Sequence, residues 1–318
     1  MFETAYNELD YAASVARIRS IEIRLLGRVE LDKLISADTV SDSINSLANA
    51  GWKVSADYNE MLFDQLLALF ALMEKLGAQE FLRTQRLKYD YHNLKVLIKS
   101  QLTNQQPRQE LLMELGNITT SDMKNAVGNR EYKIFSENTK QAILDAYDQY
   151  AKIADAQLID IILDSAYFND LSRYASEIPE EKTVELIKTQ IDIHNIKTFV
   201  RMRKMDKIHG SMQKAIADGG NISYDFFINN INSDNSNSIL FEKTPYSSAF
   251  SGDDFELVLD NYFLKKVKKA QKGAFGLAPL AGYFFIKENE IQNVRIILTC
   301  KNAELNYETI RSRLRDGR

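Results

Sequence analysis

Breakers of regular structure are scarce in this chain, with 13 glycines and 4 prolines among 318 residues. So few leave little to punctuate many short strands, and long helices are the natural layout. The single cysteine, Cys300, excludes an intrachain disulfide and any cysteine metal cluster. Beside the apolar run Ile296–Leu298 it reads as a buried, inert thiol. No run of 18 or more apolar residues exists; the longest candidate, Gly273 to Ile286, is too short to span a bilayer and contains Pro279. Met1-Phe2-Glu3-Thr4 lacks the basic region and apolar core of a secretory signal, so a soluble, intracellular protein is expected. Charge is nearly balanced: 40 Lys and Arg against 44 Asp and Glu leave −4, which gives no argument for nucleic acid as a partner. The GxxxxGK[ST], HExxH, CxxC and serine-elbow patterns are all missing. No cofactor, metal or small-molecule substrate is therefore expected.

What is present is ordinary globular composition, 45% apolar and 26% charged, in a chain long enough for one large or two to three small domains. Its most informative feature is a box that returns. Asp90-Tyr91-His92-Asn93-Leu94-Lys95 recurs as Asp192-Ile193-His194-Asn195-Ile196-Lys197, and more weakly as Glu290-Ile291-Gln292-Asn293-Val294-Arg295. Each copy is an acid, an apolar residue, His or Gln, Asn, an aliphatic residue and a base. The apolar register is shared as well: Tyr91, Leu94 and Ile98; Ile193, Ile196 and Val200; Ile291, Val294 and Leu298. That is the i, i+3, i+7 stripe of an amphipathic helix. The copies lie about 100 residues apart, a domain-sized period and not the 20–50 of a solenoid. We read three similar helical lobes, residues 1–115, 116–218 and 219–318, in an all-α, pseudo-threefold chain.

Local signals place the helices. One is expected from Tyr6 to Ile35, a short one after a break at Asp38 and Ser41, then Asp57–Leu76 ended by Gly77, and Gln79–Leu102 with the first box. The second lobe reads as a short helix at Ser121–Val127, a long one from Ser136 to Ala166 broken at Asn169-Asp170, and Glu180–Met205 with the second box. The third reads as Tyr224–Ile231, a polar tract Asn232–Ser238 expected to be a mobile loop, Asp253–Lys272, Ala278–Lys301 with the third box, and Tyr307–Arg315.

Function is weighed residue by residue. His92 and His194 invite a metal, but the third copy carries Gln292 and the only other histidine is His209. The structural reading of the box is stronger: Asp90 and Asn93 share a face and satisfy backbone groups of a neighbouring helix, while Lys95 pairs with a carboxylate nearby. The same follows for Asp192, Asn195 and Lys197, and for Glu290, Asn293 and Arg295. The basic run Lys265-Lys266-Val267-Lys268-Lys269-Ala270-Gln271-Lys272 complements a helix dipole on a solvated face, or meets an acidic partner or anionic headgroups. Asp253-Asp254 and Asn169-Asp170…Glu177 look like fragments of class I terpenoid-synthase metal motifs. Arg173 and Leu257 stand where ligands are needed, and the order is reversed.

The box, with Tyr11-Ala12, Ala16-Arg17-Ile18-Arg19, Phe81-Leu82-Arg83, and Pro279-Leu280 with Tyr283, resembles the C subunit of archaeal and bacterial V/A-type ATPases, the counterpart of the eukaryotic d subunit. The likeness runs over effectively the whole chain. Gly276-Leu277-Ala278-Pro279 departs from it, lacking the first proline and the acid of the family's turn. The resemblance implies a non-catalytic, funnel-shaped socket and spacer of three lobes. It would be peripheral to the cytoplasmic face of the cell membrane and turn with the central-stalk D and F subunits on the membrane proteolipid ring, coupling ATP chemistry to proton or sodium transport. A free-standing all-α adaptor for a soluble partner shares every compositional feature.

Overall fold

The computed structural model describes residues 6–55, 57–204, 212–252 and 254–317. Among them every regular element is helical. In order these are α1 (Ala12–Ile21), α2 (Arg28–Ser36), α3 (Val40–Asn49), α4 (Tyr58–Lys75), α5 (Gln79–Leu102), α6 (Thr120–Asn129), α7 (Glu137–Ile153), α8 (Ala156–Ala175) and α9 (Glu181–Lys204). They continue with α10 (Met212–Ala215), α11 (Tyr224–Asn230), α12 (Asn237–Leu240), α13 (Phe255–Gln271), α14 (Ala278–Asn302) and α15 (Tyr307–Arg313), and short 3₁₀ turns intervene. No helix among the described residues is long and apolar enough to cross a membrane.

The ends follow capping chemistry. Asp57 accepts the Asn59 N–H to start α4, and Gly77 after its end takes φ +78°, a left-handed turn that a side chain would resist. Three expectations are corrected. The first helix is interrupted: α1 passes through a 3₁₀ turn at Glu22–Arg24, and α2 restarts at Gly27, whose N–H Glu30 accepts at 2.9 Å. The long helix of the second lobe breaks earlier than expected, at Ala154 (φ +55°) and the N-cap Asp155, and Asn169-Asp170 lie inside α8. The tract Asn232–Ser238 is held. Arg203 donates to the carbonyls of Ser233 and Asn235 and to Asn237 Oδ1, and Ser236 is the N-cap of α12. Met205, His209 and Asp253 lie outside the described residues.

By contact the chain forms two compact units. The first comprises residues 1–79, 180–183 and 244–318 and is built on α14, which packs against α13, α4 and α1–α3. Ala278–Ile286 is buried throughout, and Gly282 admits α13 so closely that a Cβ there would stand 2.7 Å from the Gln271 nitrogen. Phe284 meets Phe70 edge-on at 5.3 Å. Cys300 is a buried free thiol in this helix.

The second unit comprises residues 80–179 and 184–243. Tyr91, Leu94, Leu97 and Ile98 of α5 enter one apolar cluster with Met123 and Val127 of α6, Ile143 of α7 and Ile159 and Leu163 of α8. Phe199 of α9 packs on Phe227 and Phe241. All nine stripe positions of the three boxes are buried. At about 1.5–3 kcal/mol for each fully buried aliphatic side chain, this burial fixes which face of α5, α9 and α14 turns inward, and so where the polar box must sit.

Candidate functional site

Burial leaves the polar residues of each box with backbone groups as the nearest partners, and these lie in connectors between helices, or beyond α15 for Asn293, and not in a neighbouring helix as expected. On α5, Asn93 is fully buried. Its Nδ2 donates to the Met113 carbonyl at 2.8 Å and its Oδ1 accepts the Met113 N–H at 2.8 Å. Side-chain amide and peptide group thus saturate each other like one rung of a ladder. The rung recurs twice. Asn195 of α9 holds Ala217 at 2.8 and 2.9 Å, and Asn293 of α14 holds Arg315 at 3.1 Å in both directions.

The acid of each box performs a second, equally repeated act: it accepts the N–H of the residue immediately before a helix N-cap. Asp90 takes the Ile118 N–H at 3.0 Å, ahead of the N-cap Thr119 of α6, together with the Asn117 N–H and Nδ2. Asp192 takes the Ile222 N–H at 2.9 Å, ahead of the N-cap Ser223 of α11. Glu290 takes the Leu26 N–H at 2.6 Å, ahead of the N-cap Gly27 of α2. Burial pushes the Asp90 carboxyl above its ordinary range, and the N–H groups from Ile118 and Asn117 oppose that. The approach is close enough to require glycine twice. A Cβ on Gly116 would stand 2.1 Å from Asp90 Oδ1, and one on Gly220 2.3 Å from Asp192 Oδ1.

The remaining box positions diverge. Lys95 pairs with a carboxylate as expected, that of Asp164 of α8 at 2.8 Å. Arg295 donates to Asn59 Oδ1 at 3.3 Å, an amide where an acid pairs with Lys95. Lys197 is half-buried on α9. His92 Nε2 lies 2.8 Å from the Leu111 carbonyl. His194 stacks on Phe168 at a ring separation of 4.0 Å, its Nε2 is buried without a partner, and burial pulls its pKa down to about 3. Gln292 is half-buried. Among the described residues no three His, Cys, Asp or Glu side chains gather in a way that could hold a metal ion.

The fragments that looked like a terpenoid metal motif are engaged in packing. Asp254 caps α13 through the Leu257 N–H, Asn169 accepts the Asp218 N–H, and Glu177 pairs with Arg83 at 2.9 Å. Asp170 is buried, with Oδ2 accepting from Tyr91, Ser136 and Thr139. In the lysine run Val267 is buried, Lys266 lies over the Tyr262 ring at 5.5 Å, and Lys265, Lys269 and Lys272 are exposed.

The partners of the boxes escape the sequence reading, although a signal exists for two of them. Gly116-Asn117-Ile118-Thr119 and Gly220-Asn221-Ile222-Ser223 are the same tetrad, Gly-Asn-Ile and a hydroxyl N-cap. Their isoleucines follow the acids by 28 and 30 residues.

The model of a family described as ATP synthase (C/AC39) subunit matches residues 14–313. The chain is similar to the C subunit of the V-type sodium ATPase of Enterococcus hirae, 22% identical over 315 residues that cover 94% of this chain and 96% of that one. It is also similar to the C subunit of the A-type ATP synthase of Methanocaldococcus jannaschii, 26% identical over 350 residues covering 96% and 86%. A third relative, the C subunit of the A-type ATP synthase of Methanosarcina mazei, is 24% identical over 348 residues covering 96% and 92%.

Proposed function

The chain belongs to the ATP synthase C/AC39 subunit family, and from that premise we propose that it is the socket and spacer between the central stalk and the membrane ring of a V/A-type rotary ATPase. Membership makes it a structural subunit, itself non-catalytic, that works with other subunits of such a complex. The finer reading is that the D and F subunits seat on one side and the proteolipid ring on the other. The complex then lies at the cytoplasmic face of the membrane, and this protein passes torque for proton or sodium transport. Three similar lobes, residues 1–115, 116–218 and 219–318, each contribute one long helix bearing a box, and the nine box residues set lobe geometry.

The observation that carries this reading is the threefold recurrence of one mechanical device, an asparagine rung and an acid at a helix start, on α5, α9 and α14. A torque-bearing spacer needs rigid joints between helices and connectors, and buried, fully satisfied polar networks supply them. Affinity purification of the tagged protein from mildly solubilised native membranes, followed by mass spectrometry, tests it. Recovery of stalk subunits, ring proteolipid and nucleotide-binding head is expected. Recovery alone, or with soluble partners only, would overturn the socket reading in favour of a free adaptor.

A further inference from the structure

Along α13 and its C-cap, Lys265, Lys268, Lys269 and Lys272 stand at i, i+3, i+4 and i+7, the spacing that lays side chains in one stripe on a helix. The buried side of this helix, with Leu259, Leu264 and Val267, packs on α14. Lys265, Lys269 and Lys272 are exposed and Lys268 is half-buried. Among the described residues no carboxylate pairs with any of the four. Like charges at these spacings repel and weaken a helix. Lysines at a helix end ordinarily complement its dipole, but this end is already served. Arg19 of α1 donates to the carbonyls of Gln271 and Gly273 at 2.6 and 2.8 Å. The stripe therefore has no task inside the chain and suits an anionic surface outside it.

The turn that follows adds an apolar element. Between Gly273 and Gly276 (φ +87°), three residues past Lys272, Phe275 is 46% exposed. Gly276 donates to the Glu8 carbonyl at 3.1 Å, which fixes the turn against the 3₁₀ segment Glu8–Tyr11. The exposed acids of that segment, Glu8 and Asp10, pair with none of the four lysines. The kind of cation narrows the partner. Protein interfaces enrich arginine, whose fork grips a carboxylate at two points, and are poor in lysine. A stripe made only of lysine, as mobile point charges, matches the diffuse field of phospholipid headgroups. An exposed phenyl ring beside basic residues is the companion feature at a lipid–water boundary.

We propose that the lysine stripe and Phe275 form a contact for anionic phospholipid headgroups, the ammonium groups meeting phosphates and the phenyl ring entering the boundary below them. The full-length protein is floated with vesicles of phosphatidylcholine alone, and of phosphatidylcholine and phosphatidylglycerol in equal parts. Binding to the anionic vesicles only is expected, weakening as salt is added. Lys269→Gln/Lys272→Gln should lower it about thirtyfold, roughly fivefold for each lysine lost. Lys33→Gln/Lys75→Gln removes the same charge from exposed lysines of α2 and α4 and should lower it about twofold at most. Phe275→Ala should weaken it about fivefold, and the helical circular dichroism of all three variants should match that of the unaltered protein. The contact is overturned if the anionic vesicles are not bound, if the two double variants lose binding equally, or if Phe275→Ala binds as well as the unaltered protein. Retention on immobilised polyglutamate without vesicle binding would also overturn it and assign the stripe to an acidic protein face. Stalk and ring subunits are left out, so a failure here leaves the socket reading untouched.

Discussion

Around Asn195 the rung is enclosed, with both hydrogen bonds buried at 2.8 and 2.9 Å. Around Asn293 the same pair is 3.1 Å long and partly solvated. The third connector has other anchors: Asn289 donates to the Asp316 carbonyl at 3.1 Å, Arg315 pairs with Asp260 at 2.8 Å, and Asn261 accepts the Asp316 N–H at 2.8 Å. The acids differ in kind too. Asp90 and Asp192 reach forward to a helix that follows, whereas Glu290, one methylene longer, reaches back 264 residues to Leu26. One device is thus concentrated in a few buried atoms in the second unit and spread over several contacts in the first, so the two should fail differently.

The largest contrast is expected at the glycines. Gly116→Ala and Gly220→Ala drive a Cβ into the held carboxylates of Asp90 and Asp192 and should each cost about 3 kcal/mol or more. Gly27→Ala meets only the end of Glu30 at 3.0 Å and should cost about 1 kcal/mol. Urea midpoints of the three variants measure this, and equal losses would break the comparison.

The asparagines come next. Asn195→Ala strands a buried peptide group and should cost about 3 kcal/mol, Asn93→Ala about 2, and Asn293→Ala about 1 because its connector keeps its other anchors. Thermal melts rank them, and a reversed order would contradict the account.

His194 gives a pH-dependent version of the same contrast. Its folded-state pKa of about 3 lies below the ordinary 6.5, so between those values the unfolded chain holds a proton that the folded chain does not. Stability is therefore lost as pH falls from 6.5 towards 3, by about 2 kcal/mol at pH 5 from this group. His194→Gln, which installs the residue type found at Gln292, should flatten that slope in denaturation followed at pH 7.5 and 5. The smallest effect belongs to the Lys95–Asp164 pair, whose side chains are 24% and 40% exposed. Lys95→Met should cost less than about 1 kcal/mol and lose even that at high salt.

The sequence is most legible where the determining signal is local. The Gln79–Leu102 helix can be read to its observed ends, because Gly77 and the loop from Asn104 lie beside them. The recurring boxes are legible because helical spacing keeps six residues on one turn and a half. The break between α7 and α8 is not, because Ala154 carries no signal for a left-handed turn and adopts it at φ +55° within the fold. The second half of each clamp is hidden for another reason: the partners of Asp90, Asn93 and Glu290 are peptide groups, which every residue possesses. Only the glycines that make room for the acids, and the hydroxyl N-caps beyond them, mark those connectors in the sequence.

The rungs themselves can be watched through amide hydrogen exchange of Met113 and Ala217 in the folded chain. Neither belongs to an α-helix, so protection there has the asparagine carbonyls as its source. Slow exchange is expected at both, with Asn93→Ala releasing Met113 alone and Asn195→Ala releasing Ala217 alone. Exchange at free-peptide rates in the unaltered protein, or protection that survives both substitutions, would contradict the clamp.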